Sequence, residues 1–346
     1  MKVSVIIPTY NRAEILRQTV DSILNQTFQD FEIILIDDGS SDHTEEVFTD
    51  YSDKLRYIKQ ENAGVNAARN HALRVAQGEY IAMLDDDDVW LDYKLKLQVE
   101  ILDKLDGIGF TYSNFYILKS DGTRIPDGLT TWLRSPIDWS SLFEDHYHCR
   151  DLSIESSIPD ADRQEPVIYV GDIYHASLYE PHVLPSTAVF RRSLLPDDLR
   201  FAEHDSICGD WEFFARFSKL HKAAFLNHET TLNRSHEDAF RLTRTDHDIQ
   251  MGKRRDFIRR LWKADEQFYR ENKSSVDGAL NKVLVELAYL HVMSGNIEEA
   301  SAAMNDLARP YTGLNKKQLY ISRIGTGIPL SSNLFRLIRN IKQSLH

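Results

Sequence analysis

The first 110 residues alternate two hydrophobic periods. Short, largely apolar runs read as strands occur at Val3–Ile7, Phe31–Ile36 (broken by Glu32) and Tyr80–Leu84, and Leu55–Lys59 is read as the third strand in the series. Between them, polar and apolar positions repeat at helical spacing, as in Ile15, Leu16, Thr19, Val20, Ile23 and Leu24. Helices are predicted after Asn11, with Asn11 as cap and Glu14 three residues on, and over about 42–51, 65–76 and 91–105. A further strand is predicted near Ile108–Tyr112. Unbroken apolar runs suit strands buried on both faces of a parallel sheet. Repeated βα units imply such a sheet with helices on both faces and right-handed crossovers. Ligands in such sheets bind outside the carboxyl ends of the strands.

The pattern weakens over about 119–185, a stretch rich in Asp, Ser, Pro and aromatics. A helix over Pro136–Phe143 is the only element predicted there, and a long irregular segment of this kind reads as a binding surface. Regularity returns with a strand at Ser186–Phe190, a helix at Asp210–His221 and a strand at Ala223–Leu226. From about residue 245 the spacing is helical: Lys253–Glu271, Val276–Ser294 and Ile297–Ala308. The chain therefore divides into 1–110, 111–244 and a helical extension over 245–346. One helical hairpin near Leu287–Leu307 does not make a repeat array.

Composition narrows the classes. No apolar run approaches the roughly 18 residues of a membrane span. The N-terminal MKVSVIIPTYNR reads as a strand, without the pattern of a signal peptide. Two cysteines, Cys149 and Cys208, exclude a disulfide scaffold, and a reducing cytoplasm fits. The formal charge is −12, which argues against a nucleic-acid partner. Leu307–His346 contains no Asp or Glu and carries +7, so the first 306 residues carry −12 − 7 = −19. Within that tail, Leu334, Leu337, Ile338 and Ile341 alternate with Arg336, Arg339 and Lys342 as a short basic amphipathic helix. It could pack on the acidic body, dock reversibly on anionic lipid headgroups at the inner face of the membrane, or meet a partner protein.

Three polar clusters fall at predicted strand ends. Asp85–Asp88 offers hard oxygen ligands for Mg²⁺ or Mn²⁺ completed by substrate phosphates, or else is a solvated acidic loop in which Asp88 caps the next helix. Asp37-Asp38-Gly39 could accept hydrogen bonds from a ribose or a base, or form a plain turn. Pro8-Thr9-Tyr10-Asn11 places Tyr10 either over a planar base or in the core. His146, His148 and Cys149 lack a second clustered pair at ligand spacing and read as a polar loop. No G-x-G-x-x-G follows a strand, so a dinucleotide cofactor is not expected. Trp132, Trp139, Tyr147, Tyr169, Tyr174 and Tyr179 crowd the irregular middle, as an acceptor platform or as packing.

VSVIIPTYNR, QTFQDFEIILIDDGSSD, ENAGVNAARNHAL and GEYIAMLDDDDVW, in this order, resemble the family 2 glycosyltransferases, which have the GT-A fold. LPSTAVFRRSLL, GDWEFFARFSKLHKAAFL and NRSH extend the resemblance to about residue 240. It implies a Rossmann-like, mostly parallel sheet flanked by helices, with an α-helical C-terminal extension. It implies a nucleotide site made by Pro8, Tyr10, Asp37, Asp38, Arg69, Asp85 and Asp86. Tyr10 would stack on the base, Asp38 would bond to it, and Arg69 would lie near the nucleotide. Asp85 and Asp87 match the D-x-D signature, with Asp87 as metal ligand and His236 of Arg234-Ser235-His236 as a second. Asp210 matches the catalytic base, although Gly209 stands where the family usually has Glu, and Glu212 is its rival.

The implied reaction moves a sugar, UDP-linked by preference, from its nucleoside diphosphate to a hydroxyl of a glycan, lipid-linked or polysaccharide acceptor. Mn²⁺ or Mg²⁺ would stabilise the departing diphosphate, and Asp210 would deprotonate the attacking hydroxyl with inversion. A relative that binds sugar nucleotides without turnover and a nucleotidyltransferase are the competing readings. The latter should carry a Gly-rich phosphate loop, which Pro8-Thr9-Tyr10-Asn11 is not.

Overall fold

Strand β1, Val3–Thr9, is buried along its whole length, and its alternate side chains enter two separate cores. Val3, Val5 and Ile7 point to one face with Leu16, Val20 and Ile23 of α1 (Ala13–Leu24) and Leu95, Val99 and Leu102 of α4 (Lys94–Lys104). Ile6 points to the other face. There Ala68, Ala72 and Leu73 of α3 (Val65–Val75) pack with Phe213, Phe214 and Phe217 of α7 (Gly209–Ser218). The period of two in the strand thus produces helix layers on both faces.

The computed structural model describes residues 1–49, 51–133, 137–154, 166–203, 205, 207–234, 247–309, 311 and 313–326. They form two compact units, 1–240 and 241–346. The first holds one sheet through both of its sequence halves. The other strands are β2 (Phe31–Asp37), β3 (Leu55–Lys59), β4 (Tyr80–Met83), β5 (Val89–Trp90), β6 (Ile108–Leu118), β7 (Arg124–Ile125), β8 (Asp145–His148), β9 (Val167–Gly171), β10 (Val189–Arg191) and β11 (Lys222–Arg234). The order is β3-β2-β1-β4-β10-β6-β11-β9-β8, with β5 on β11 and β7 on β6. Strands β3, β2, β1 and β4 are parallel, as are β6 and β11, while β10 enters antiparallel between β4 and β6. Thr9 pairs with Asp37 and Asp37 with Lys59, so the carboxyl ends of the first three strands are level. Pro8 lies in a central strand yet leaves no gap in the ladder. Leu84 N donates to Ile6 O, and Pro8 faces the same side, where β4 has already ended at Met83.

Some expectations are corrected. Asn11 does not cap α1. It adopts φ 54°, and its Oδ1 accepts from the backbone nitrogens of Ser41 and Asp42, while Asp42 Oδ2 accepts from Ala13 N at 3.2 Å. Residues 42–51 shorten to α2, Thr44–Phe48. Asp88 does not cap α4 but lies buried elsewhere. Ser186 lies in a 3₁₀ turn, Pro185–Thr187, because Pro185 starts the turn and the strand resumes only at Val189. The irregular middle contains α5 (Gly128–Leu133), α6 (Trp139–Leu142) and the β8–β9 hairpin, whose polar Asp145-His146-Tyr147-His148 strand hides its sheet period at an edge.

The second unit is helical: α8 (His247–Ile258), a π turn at Arg259–Lys263, α9 (Glu266–Met293), α10 (Ile297–Asn305) and α11 (Lys316–Thr326). The expected change of helix after Glu271 is a kink in α9, where Asn272 is non-helical (φ −119°, ψ 25°), whereas the expected single helix Lys253–Glu271 is divided before Glu266, with Asp265 capping α9. Among the described residues no helix is long and apolar enough to cross a membrane. The amphipathic stretch over 334–342 lies outside the described residues.

Candidate active site

The four aspartates after β4 do not form one cluster. Asp85 and Asp88 have partners of their own while Asp86 and Asp87 share Arg12, and this division is how four adjacent carboxylates coexist. Asp85 Oδ1 accepts from Arg69 Nη2 at 2.7 Å. Asp86 accepts from Thr9 Oγ1 at 2.8 Å and from Arg12 Nη1 at 3.1 Å. Asp87 Oδ2 accepts from the same Arg12 nitrogen at 2.6 Å. Asp88 is buried and accepts from Asn233 Nδ2 and Arg234 N at the end of β11. Burial pushes Asp86 up to about 7; Arg12 pulls against it and Asp87 adds to it. Burial, reinforced by Asp87 and Asp85, also raises Asp88 well above the usual carboxylate range. The turn is braced from below: Asp85 N donates to Ser186 Oγ, Trp90 Nε1 donates to Ser186 O, and Thr19 Oγ1 donates to the carbonyls of Asp86 and Asp88.

Beside this turn, Tyr10 is 48% exposed and therefore not a core residue. Asp37 is fully buried, accepting from Ser40 N at 2.7 Å and from the Tyr57 hydroxyl. Asp38 Oδ1 accepts from Gln60 Nε2 and Ala63 N, and Oδ2 accepts from Gly64 N at 2.8 Å. A carboxylate has about four acceptor positions, so these three bonds leave one on Oδ2. Gly64, at φ 93°, turns the chain into α3.

On α3, Arg69 is buried rather than a surface charge. Burial works against its guanidinium, but Asp85 and Asp210 outweigh it and hold its pKa above the ordinary value. Its Nε is buried without a hydrogen-bond partner. Asp210 lies in the first turn of α7, with its Oδ1 accepting from Trp211 N at 2.7 Å. Burial raises the Asp210 pKa, Arg69 lowers it, and Asp85 raises it further. Asp85, Arg69 and Asp210 thus share one electrostatic site across the sheet halves. Glu212, the rival base, is buried at 7% exposure. A Cβ at Gly209 would lie 2.1 Å from Asn66 Nδ2, so the missing acid there has a packing cause.

Sequence reasoning missed Arg12 and Asn66. Arg12 was readable only as the residue after PTYN, and Asn66 as one polar position on a helix. His236 lies outside the described residues. Among those described, no three His, Cys, Asp or Glu converge as a metal-binding group. Trp139 packs against Phe225 at 4.4 Å and Tyr174 is buried, whereas Trp132 is 39% exposed.

Residues 4–197 match the family model described as "Glycosyl transferase family 2". A glucosyltransferase of Escherichia coli, "UDP-Glc:alpha-D-GlcNAc-diphosphoundecaprenol beta-1,3-glucosyltransferase WfgD", is 37% identical over 121 residues, 34% of this chain and 47% of that protein. The uncharacterized glycosyltransferase RT0329 of Rickettsia typhi is 43% identical over 104 residues, 30% of this chain and 33% of that protein. These matches span between a third and a half of the relatives' own lengths. Among solved structures, S. aureus TarS 1–349 in complex with UDP-GlcNAc has a TM-score of 0.57 at 19% identity, covering 94% of this chain and 88% of that one. The Pyrobaculum calidifontis mannosyltransferase PcManGT, in complex with GDP-Man and Mn2+, has a TM-score of 0.51 at 17% identity, covering 94% and 87%. These likenesses establish the GT-A fold with its helical C-terminal region.

Proposed function

The chain belongs to glycosyl transferase family 2, and from that premise we propose that it transfers a sugar from a nucleoside-diphosphate sugar, UDP-linked by preference, to an acceptor hydroxyl with inversion. The observation that carries the reading is the coupling of Asp85, Arg69 and Asp210. A donor-side carboxylate and a candidate base on another helix answer to one guanidinium.

Tyr10, half exposed at the end of β1, would stack on the base. The remaining acceptor position on Asp38 Oδ2 would take a base N–H, held in direction by Gln60, Ala63 and Gly64. Asp37 and Asp86 shape the site from below: Asp37 holds the turn at Ser40, and Asp86 ties β1 to the acidic turn. Asp210 would accept the proton of the attacking hydroxyl as that oxygen bonds to the anomeric carbon and the bond to the diphosphate breaks. Its raised pKa moves it towards the range in which a carboxylate serves as a base near neutral pH.

The residues present fit a hard dication. Asp87 already holds a cation, the guanidinium of Arg12, and one carboxylate completed by substrate phosphates is a usual Mg²⁺ or Mn²⁺ arrangement. His236 would be a second ligand. When bound, the ion would stabilise the negative charge on the departing diphosphate.

The diphosphoundecaprenol-linked acceptor in the name of WfgD supports a lipid-linked glycan as acceptor here, and with it work at the inner face of the membrane through the basic tail. The family match favours transfer over nucleotidyl chemistry. Since Gly209 is explained by Asn66, it is no mark of a degenerate site. The test is a screen of nucleotide sugars with Mn²⁺ by thermal shift, followed by assay of released nucleoside diphosphate. Asp210→Asn should abolish transfer while leaving donor affinity within a few fold. Undiminished turnover in that variant moves the base elsewhere.

A further inference from the structure

Arg69 is not the only residue by which α3 reaches the start of α7. Asn66 lies one turn before it on the same helix face, and every polar atom of its side chain has a partner. Nδ2 donates to Ala202 O at 2.9 Å and to Asp205 O at 2.8 Å, and Oδ1 accepts from Arg69 Nη1 at 3.2 Å. Four residues on, Asn70 Nδ2 donates to Phe201 O and Glu203 Oε1, and its Oδ1 accepts from Phe201 N, all at 2.9 Å. Asp205 precedes α7 by four residues, and its carboxylate accepts from Ile207 N and Cys208 N at 3.2 Å each.

Gly209 completes the contact. A side chain there would begin 2.1 Å from Asn66 Nδ2 and 3.0 Å from its Cγ. Asn66 is 2% exposed and bonded on all sides, so it has no free direction in which to move. Positions 66 and 209 therefore behave as one packing unit, an amide on α3 seated against a bare Cα on α7.

We propose that Asn66 is a positioning residue for the transfer step, tying Arg69 to the residues that precede Asp210 and so setting the Asp210 carboxylate against its charge partner. The inference rests on Asp210 being the base. An apolar side chain could fill the same volume, but only an amide offers two N–H groups to the carbonyls and an oxygen to the guanidinium at once. Misplacing a reacting group by about 1 Å costs on the order of a hundredfold in rate. The loss should fall on kcat, because Asp38, the candidate contact to the nucleobase, is held by Gln60, Ala63 and Gly64 and not by Asn66.

The experiment is a double-mutant cycle on the full chain: Asn66→Ala, Gly209→Ala and the pair. The probe donor is whichever of UDP-glucose or UDP-N-acetylglucosamine stabilises the wild type, with GlcNAc-diphosphoundecaprenol as acceptor. Each single variant should lose at least tenfold in kcat with donor KM within twofold. The pair should be no worse than Asn66→Ala alone, since the added methyl then meets empty space. Melting curves monitor folding, and Asn66→Ser replaces Asn66→Ala if the latter melts below the assay temperature. Additive losses, or wild-type kcat in the Asn66 variant, overturn the proposal. Asp210→Asn, run alongside, separates the readings. If it stays active, the base assignment fails; if it is dead while the cycle is additive, only the role of Asn66 fails.

Discussion

Arg12 offers a test of the acidic turn whose sign is set by geometry. Its Nη1 sits 2.6 Å from Asp87 and 3.1 Å from Asp86, with side chains 27% and 16% exposed for Arg12 and Asp87. A dication that takes the same Asp87 oxygen must first displace this guanidinium. Two charges about 4 Å apart attract by roughly 4 kcal/mol at an effective dielectric constant near 20. Partial exposure and screening bring this to about 1–2 kcal/mol. Since about 1.4 kcal/mol is a factor of ten, Arg12→Gln should bind Mn²⁺ about tenfold more tightly than the wild type without nucleotide. Arg12→Lys, which keeps the charge, should stay close to the wild type. The assay is a Mn²⁺ titration followed by loss of the free-ion paramagnetic resonance signal at fixed salt. If Arg12→Gln binds Mn²⁺ no better, or less well, the competition argument is wrong.

Two further outcomes follow from buried charges. Arg69 lowers the pKa of Asp210, so Arg69→Met should raise it and move the acid limb of the kcat profile to higher pH; an unmoved limb, read from a pH series of transfer rates, separates Asp210 from the base role. Lys94 is fully buried, bonded to Gln98 and 4.5 Å from the Trp90 ring centre, and burial drives its pKa well below the ordinary value. Between the folded and unfolded values the unfolded chain alone binds the proton, so wild-type stability should rise with pH by about 1.4 kcal/mol per unit. Lys94→Met should melt higher near neutral pH and lack that slope, and equal pH slopes in the two melting series would count against a neutral Lys94.

Much of this was legible in the chain because its strands are buried on both faces. Largely apolar runs marked β1, β2 and β4 closely, and the polar residues after them could only fall at the carboxyl edge. What the acidic run does there was not legible. Asp85 answers to Arg69 and Asp88 to Asn233, partners 16 and 145 residues away, and no local period encodes such pairings. Arg12 looked like a plain residue at a helix start. The β8–β9 hairpin escaped notice because a sheet-edge strand needs no apolar alternation. In the helical unit the kink at Asn272 falls where the spacing changes, but the break before Glu266 escaped notice because the helical spacing of apolar residues runs on through the π turn.

Asn11 and Asp42 join the first two βα turns reciprocally: each side chain accepts from the backbone of the other's turn. Neither crossover can shift without dragging its neighbour. A cleft built on such interlocked loops meets its guest already shaped, and little ordering is left to do on arrival. A change at position 11 would therefore be felt at position 42, and the two should tolerate alteration only together.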